Sequence, residues 1–422
     1  MRLLLLGGTE ACQKGNYPTE QSAARGLVVR ARRWSAMPAR GIGDLAVKLG
    51  TPACDQIVTD AAARERLPSG KRQATIESIQ ILRGLAALMV VIYHALSALS
   101  GSYPELQFQT LQGGVDIFFV ISGVIMWVSV GSKGDSTPLA FLVDRLRRIA
   151  PLYWIFTLIL ALAAVSFPYL MKSATVTWPF LASSLLFLPY PHPKIGKYWP
   201  LLIPGWSLNL EMFFYILFAL SLWIGGRSQG RRITTAYALF AATVIVHLLL
   251  PDSQGALKFV TDPMVLEFAA GVAIGIAYTR KIFGCDGRLW LVSFGAIGLL
   301  LIAPNYLPPL PRVIAFGVPS IAVVGAAVFA GPLNLAALRK LGDISYSLYL
   351  THPLVIPVIV LIFRELHTYD PPMILAASVI ASVCFGLVTY RFVERPIDKK
   401  LRTMTLRKGL SSIRYKRKLE SV

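Results

Sequence analysis

The sequence predicts an all-α polytopic membrane protein with about ten transmembrane helices and both termini in the cytoplasm, and three observations carry that prediction. Of the 422 residues, 55% are hydrophobic and only 15% are charged, well beyond what the cores of a soluble protein require. Several apolar runs reach the roughly 20 residues that cross a hydrocarbon layer of about 30 Å. The 42 Lys and Arg fall unevenly in alternate connections, 35 in one set and 6 in the other, with Arg83 inside a span. Cytoplasmic loops retain basic residues, so the set of 35, which includes both ends of the chain, is placed inside and the number of spans is even. The net charge of +20 therefore reads as topology and calls for no nucleic-acid partner.

Taken in order, residues 1–74 lack a sustained apolar period and are expected to form a poorly ordered basic extension. The run Leu3 to Leu6 is too short for a signal-peptide core. A membrane domain follows over 75–397, with spans expected near 79–99, 113–130, 150–167, 205–225, 233–250, 263–279, 289–303, 312–330, 344–363 and 371–390. A basic cytoplasmic tail, 398–422, closes the chain. The stretch Trp178–Tyr190 is apolar but holds only 13 residues with two prolines, which suits a re-entrant or interfacial segment better than a span. Cys12, Cys54, Cys285 and Cys384 show no CxxC spacing, so neither a metal site nor a disulfide framework is expected.

Polar residues inside spans carry the chemistry, because an arginine or carboxylate at the centre of a span costs about 2.5–3.5 kcal/mol on insertion scales. Arg83 and His94 lie on one face of the first span, separated along its axis by roughly 16 Å. Asp116, near the start of the returning second span, is expected at a depth close to that of His94. A His94–Asp116 pair would either orient a general base or lock two helices together. Glu211, a turn and a half into the fourth span, reaches the same outer layer. It could bind a sugar hydroxyl, pair with Arg83, act as a second acid, or make a structural hydrogen bond. Trp206 and Tyr215 flank it and suit interfacial anchoring as well.

On the cytoplasmic side, Arg145, Arg147 and Arg148 precede the third span. Arginine forks suit phosphates, and coenzyme A would be a natural ligand, although plain positive-inside topology also yields such loops. In the ninth span Ser345, Tyr349 and His352 share a face beside Tyr346. That stripe could line a ligand cavity or hydrogen-bond between helices.

Five pieces in order resemble the acyltransferase-3 family of integral membrane acyltransferases, and within it the bacterial O-acetylases of exopolysaccharides such as succinoglycan. They are Arg83 with ten residues before His94, Gly114-Val115-Asp116-Ile117-Phe118-Phe119-Val120-Ile121-Ser122-Gly123, Arg145-Leu146-Arg147-Arg148-Ile149 with Pro151 and Tyr153, Trp206-Ser207-Leu208 with Glu211, and Ser345-Tyr346 through His352. The resemblance covers about residues 75–397. It implies an acyl-CoA donor, acetyl-CoA first, taken from the cytoplasm at a bacterial inner membrane. The acceptor it implies is a hydroxyl of an exopolysaccharide, lipid-linked oligosaccharide or other surface carbohydrate, with polysaccharide-synthesis machinery as a partner and no metal. Carried over by position, Arg83 and His94 become the principal catalytic pair, joined by Asp116 and Glu211. Arg145 and Arg148 become candidates for holding coenzyme A, with Arg147 beside them; Asp116, Glu211, Ser345, Tyr346 and His352 match motif positions, and Trp206, Ser345, Tyr346, Tyr349 and His352 are expected as substrate contacts. The extension 1–74 departs from the family pattern, and no fused esterase-like domain is expected. The alternative drawn from the same residues is a transporter or flippase that uses them as a proton relay.

Overall fold

The computed structural model describes residues 70–100, 103, 108–131, 137–167, 175–251, 255–306, 310–333, 335–367, 370–401 and 403. Among these there is no strand, and nine helices are long and apolar enough to cross a membrane. The expected extension, up to residue 69, and nearly all of the expected tail lie outside the described residues. The chain divides at Gly70/Lys71, and everything below concerns the unit that begins at Lys71.

The helices are α1 (Gly70–Leu99), α2 (Gly113–Met126), α3 (Pro138–Ser166), the short α4 (Trp178–Leu185), α5 (Gly205–Gly225), α6 (Gln229–Leu249), the short α7 (Gly255–Val260) and α8 (Val265–Thr279). They continue with α9 (Leu289–Tyr306), α10 (Val318–Ala330), the short α11 (Ala336–Asp343), α12 (Ser345–Glu365) and α13 (Pro371–Thr389). Each of the ten expected spans falls on one of them. Nine meet the length and composition of a crossing helix, and the remaining one, α9, is apolar over the shorter stretch Leu289–Ile302. The eight residues of α4 rise about 12 Å, too little to cross, in agreement with the reading of Trp178–Tyr190.

One boundary differs in a way that matters for the site. The arginine motif was expected in a loop before residue 150, yet α3 starts at Pro138. Thr137 caps it, its hydroxyl accepting the Ala140 N–H at 3.3 Å, and Pro138 takes the first helical position, where a missing N–H costs nothing. Helical spacing then puts Arg145 and Arg148 on one face and turns Arg147 aside.

The centre of the bundle is the crossing of α2 with α8, flanked by α10; Phe214 of α5 meets Phe119 and Phe268 of the crossing, and Tyr349 of α12 meets Phe118. Gly123 and Gly271 make the crossing possible. A Cβ at Gly271 would enter the van der Waals sphere of the Val120 carbonyl oxygen, and one at Gly123 that of the Phe268 carbonyl. Small residues at the contact let backbones approach where lipid supplies no hydrophobic drive between helices. Large apolar side chains such as Leu162, Trp223, Leu249, Leu291 and Ile380 stay exposed around the perimeter, as a lipid-facing surface requires. In the loop before α5, His192 is nearly fully buried, its Nδ1 accepting the Lys194 N–H at 3.2 Å. Burial, and then the Lys194 charge, hold its pKa below the ordinary imidazole value, so it sits neutral as a packing residue.

Gly271→Leu is expected to destabilise the fold by more than the ~1–3 kcal/mol of ordinary overpacking, since backbone rather than a mobile side chain must give way. Gly298→Leu, where an added Cβ meets nothing within 4 Å, serves as the control. The monodisperse fraction after heating in detergent measures both.

Candidate functional site

Two cavities open into one another at the end of the bundle where α1 and α3 begin and α2 ends. The outer one, a vestibule of about 790 Å³, lies among Arg145, Arg147, Arg148, Asp343, Tyr390 and Glu394. The inner chamber, about 100 Å³, runs between α2, α5 and α12. Arg83, Ile125, Arg145 and Arg148 line both, so three guanidinium groups ring the neck between them.

Their positions follow from local structure. Arg83 donates to Gln80 Oε1 at 3.0 Å, and Gln80 in turn donates to Asp343 at 2.7 Å, which ties α1 to α11. Arg145 donates to the Ser129 hydroxyl at 2.8 Å and its guanidinium stands 5.5 Å from the centre of the Phe141 ring. Its buried Nε has no partner. Arg147 faces the vestibule only, 3.8 Å from Asp144.

Below the neck the chamber becomes polar and then apolar. Glu211 Oε1 accepts from Ser122 at 2.7 Å and from Tyr215 at 2.5 Å. Ser345 lines the same level, its buried hydroxyl without a partner, while Tyr346 donates to the Ile149 carbonyl at 2.6 Å and so fixes α12 against α3. Deeper still, Tyr349 donates to the Pro204 carbonyl at 3.0 Å and meets the Ser207 hydroxyl at 2.7 Å. The Tyr349 ring contacts Phe118 edge-on at 6.0 Å on one side and His352 at 6.0 Å on the other.

His94 lies beyond this wall and is not among the chamber-lining residues. Its ring stacks on His352 at 4.9 Å with 18° between planes. His352 is fully buried, Nδ1 lies 3.2 Å from the Leu348 carbonyl, and Nε2 has no partner. With that carbonyl taking the Nδ1 proton, the neutral ring keeps an Nε2 lone pair.

The expected His94–Asp116 pair is a correction. Asp116, fully buried, is held by Arg312, whose Nη2 and Nε donate to its two oxygens at 2.7 and 3.2 Å. A guanidinium fork matches a carboxylate with two charge-assisted hydrogen bonds, which a single imidazole cannot do. Arg312 also donates to Gln112 at 3.3 Å and lies 5.8 Å from the Trp206 ring. Trp206 therefore belongs to this ion pair and does not line the chamber. The pairing of Glu211 with Arg83 is likewise replaced by its two hydroxyl donors. The structure thus brings Arg83, Arg145, Arg148, Glu211, Ser345, Tyr346 and Tyr349 together, and sets His94 with His352 apart from them.

Four residues have partners that the sequence alone does not assign. Ser122 sits inside the Gly114–Gly123 block, and Tyr215 is four residues from Glu211, the helical spacing that would have paired them. Glu267, fully buried beside the Asp116–Arg312 pair and against Gly317, is a carboxylate within an expected span and so was open to the same cost argument. Arg312 counts in the sequence only among the six basic residues of the second set of connections. Among the described residues no group of three or more His, Cys, Asp or Glu could hold a metal.

Comparison with known proteins agrees with this architecture. A family model described as an acyltransferase domain, acyltransferase-3, matches residues 76–391. The exopolysaccharide production protein ExoZ of Rhizobium meliloti (strain 1021) is 34% identical over 310 residues, 71% of this chain and 93% of that protein. The peptidoglycan O-acetyltransferase OatA of Listeria monocytogenes is 24% identical over 373 residues, 77% of this chain. The O-acetyltransferase OatA of Staphylococcus aureus is 25% identical over 355 residues, 76% of this chain. The match spans only 56% of each OatA. No solved structure matches the chain.

Arg312→Ala leaves the buried Asp116 without its cation and is expected to cost about 3–5 kcal/mol. Arg312→Met combined with Asp116→Leu should recover most of that loss. Thermal unfolding of the purified protein in detergent, read by tryptophan fluorescence, compares the two.

Proposed function

The chain belongs to the acyltransferase-3 family and is an acyltransferase; from that premise we propose that it moves an acyl group, acetyl first, from acyl-CoA to a hydroxyl of an exopolysaccharide or related surface carbohydrate. The observation that carries the reading is the continuous vestibule, arginine-ringed neck and chamber. A carrier with a phosphorylated head and a long narrow arm fits that sequence of shapes.

In this reading the membrane domain, 75–397, sits in a bacterial inner membrane with both termini in the cytoplasm, flanked by the extension 1–74 and the tail 398–422. The vestibule then faces the cytoplasm, as the 35-to-6 division of basic residues favours. Arg145, Arg147 and Arg148 bind the nucleotide phosphates, Arg83 guards the neck, and the pantetheine arm enters the chamber past Ser345 and Tyr346. The carbohydrate approaches from the opposite face toward His94. The His94 imidazole takes the proton of the acceptor hydroxyl as its oxygen attacks the thioester carbonyl; the carbon–sulfur bond breaks and the proton passes to the departing thiolate. His352, stacked on His94, keeps the ring plane fixed in the role first assigned to Asp116. The Tyr349 ring lies between thioester and histidine, so transfer requires Tyr349 to swing aside while Phe118 stays in place.

Ester-linked acetyl on the surface polysaccharide should return when a deletion strain is complemented with wild type, and stay absent with His94→Ala at equal membrane levels. Restoration by both proteins would make His94 structural; restoration by neither would favour a transporter. Binding of radiolabelled acetyl-CoA should fall about 100-fold or more in Arg145→Ala/Arg148→Ala, since hydrogen bonds to charged groups contribute about 1.5–3 kcal/mol each. Equal binding by this double variant would remove the arginines from the donor site.

A further inference from the structure

The distribution of polar and apolar groups along the chamber says which acyl groups it takes, given the donor reading above. We propose that the floor formed by Val115, Phe118 and Leu208 is an acyl-length stop, with Phe118 as its gauge. It admits short uncharged acyl groups and rejects longer or anionic ones.

Three observations support it. First, the chamber has a measurable depth. Ile125 marks the neck, since it lines both cavities, and Val115 marks the floor; ten residues of helix between them rise about 15 Å. An extended arm that enters at the arginines spends its length in that shaft and delivers its thioester near the floor. Second, the buried polar atoms without partners among the chamber-lining side chains are Arg145 Nε and Ser345 Oγ, both at the neck end. At the floor the polar groups are Ser207 and Tyr349, and they are already bonded to each other and to the Pro204 carbonyl. A carboxylate-bearing acyl group would arrive there with nothing to accept from, and burying it unpaired is costly. Third, the floor is backed. Phe118 meets Tyr349 edge-on at 6.0 Å and packs against the buried cluster of Ala87, Val91, Ala95, Leu348 and Ile356, drawn from α1 and α12. It therefore cannot yield to a longer chain without moving α1 or α12 side chains that are themselves buried.

The test uses full-length protein in nanodiscs with acetyl-, propionyl-, butyryl-, hexanoyl- and succinyl-CoA as competitors of bound radiolabelled acetyl-CoA. Wild type should rank acetyl first, with about tenfold or more lost as the chain outgrows the floor, the usual discrimination per methylene. Phe118→Ala should raise the relative affinity for butyryl- or hexanoyl-CoA by about tenfold or more, while succinyl-CoA stays excluded. Val115→Phe, a change in the opposite sense, should narrow acceptance to acetyl. An unchanged ranking in both folded variants would overturn the length stop and leave the acyltransferase reading intact. Absence of any acyl-CoA binding by wild type would overturn the donor reading and this inference together. If Phe118→Ala fails to fold, Leu208→Ala enlarges the same floor from α5, and an unchanged ranking there overturns the proposal equally.

Discussion

The cost of leaving a polar group unpartnered in hydrocarbon is the constraint on which this architecture rests. It explains why so many inter-helix ties are hydrogen bonds between side chains far apart in sequence. Asp116 and Arg312 join α2 to the start of α10, Ser122 and Glu211 join α2 to α5, and Ser207 and Tyr349 join α5 to α12. Tyr346 reaches the α3 backbone and Ser347 reaches Glu394 beyond α13. Each tie satisfies a polar group and in the same stroke fixes the register of two helices. The chamber is what these ties leave open between α2, α5 and α12.

The same constraint divides the polar residues by task. At Asp116, which is fully enclosed, the partner is supplied within the protein and the pair is structural. Where a polar atom is buried and left unsatisfied, as with Arg145 Nε, Ser345 Oγ and His352 Nε2, the fold tolerates a cost that a bound molecule would remove. Those three atoms mark the neck, the upper chamber and the far side of the Tyr349 wall. They trace the route along which donor and acceptor would meet under the proposed reaction.

The spans were legible in the sequence because length and apolarity are properties of contiguous residues. So was the short α4, since two prolines and 13 residues exclude a crossing whatever packs beside it. The separation of Arg83 and His94 was legible too, since it needs only the helical rise; the depth of Glu211 was not, because the residue expected in the outer layer with His94 instead bonds Ser122 just below the arginines. Nor was partner choice. Asp116 is expected beside His94, and its pairing with Arg312 instead depends on α10 packing against α2, a contact between segments some 200 residues apart. The start of α3 was missed for a local reason, because its first turns are polar and a search for apolar runs begins too late. Thr137-Pro138 was the signal that would have placed it.

The neck shared by the two cavities also has a kinetic meaning. A donor whose head stays in the vestibule while its arm fills the shaft has no second exit, because the floor is closed by packed side chains. The spent carrier must therefore withdraw backwards past Arg83, Arg145 and Arg148, through the same ring that admitted it. Donor and used carrier then contend for one doorway, and the free thiol form should act as a competitive inhibitor toward the donor. Under the proposed reaction, turnover would then be paced by the cell's ratio of charged to uncharged carrier as much as by the supply of carbohydrate.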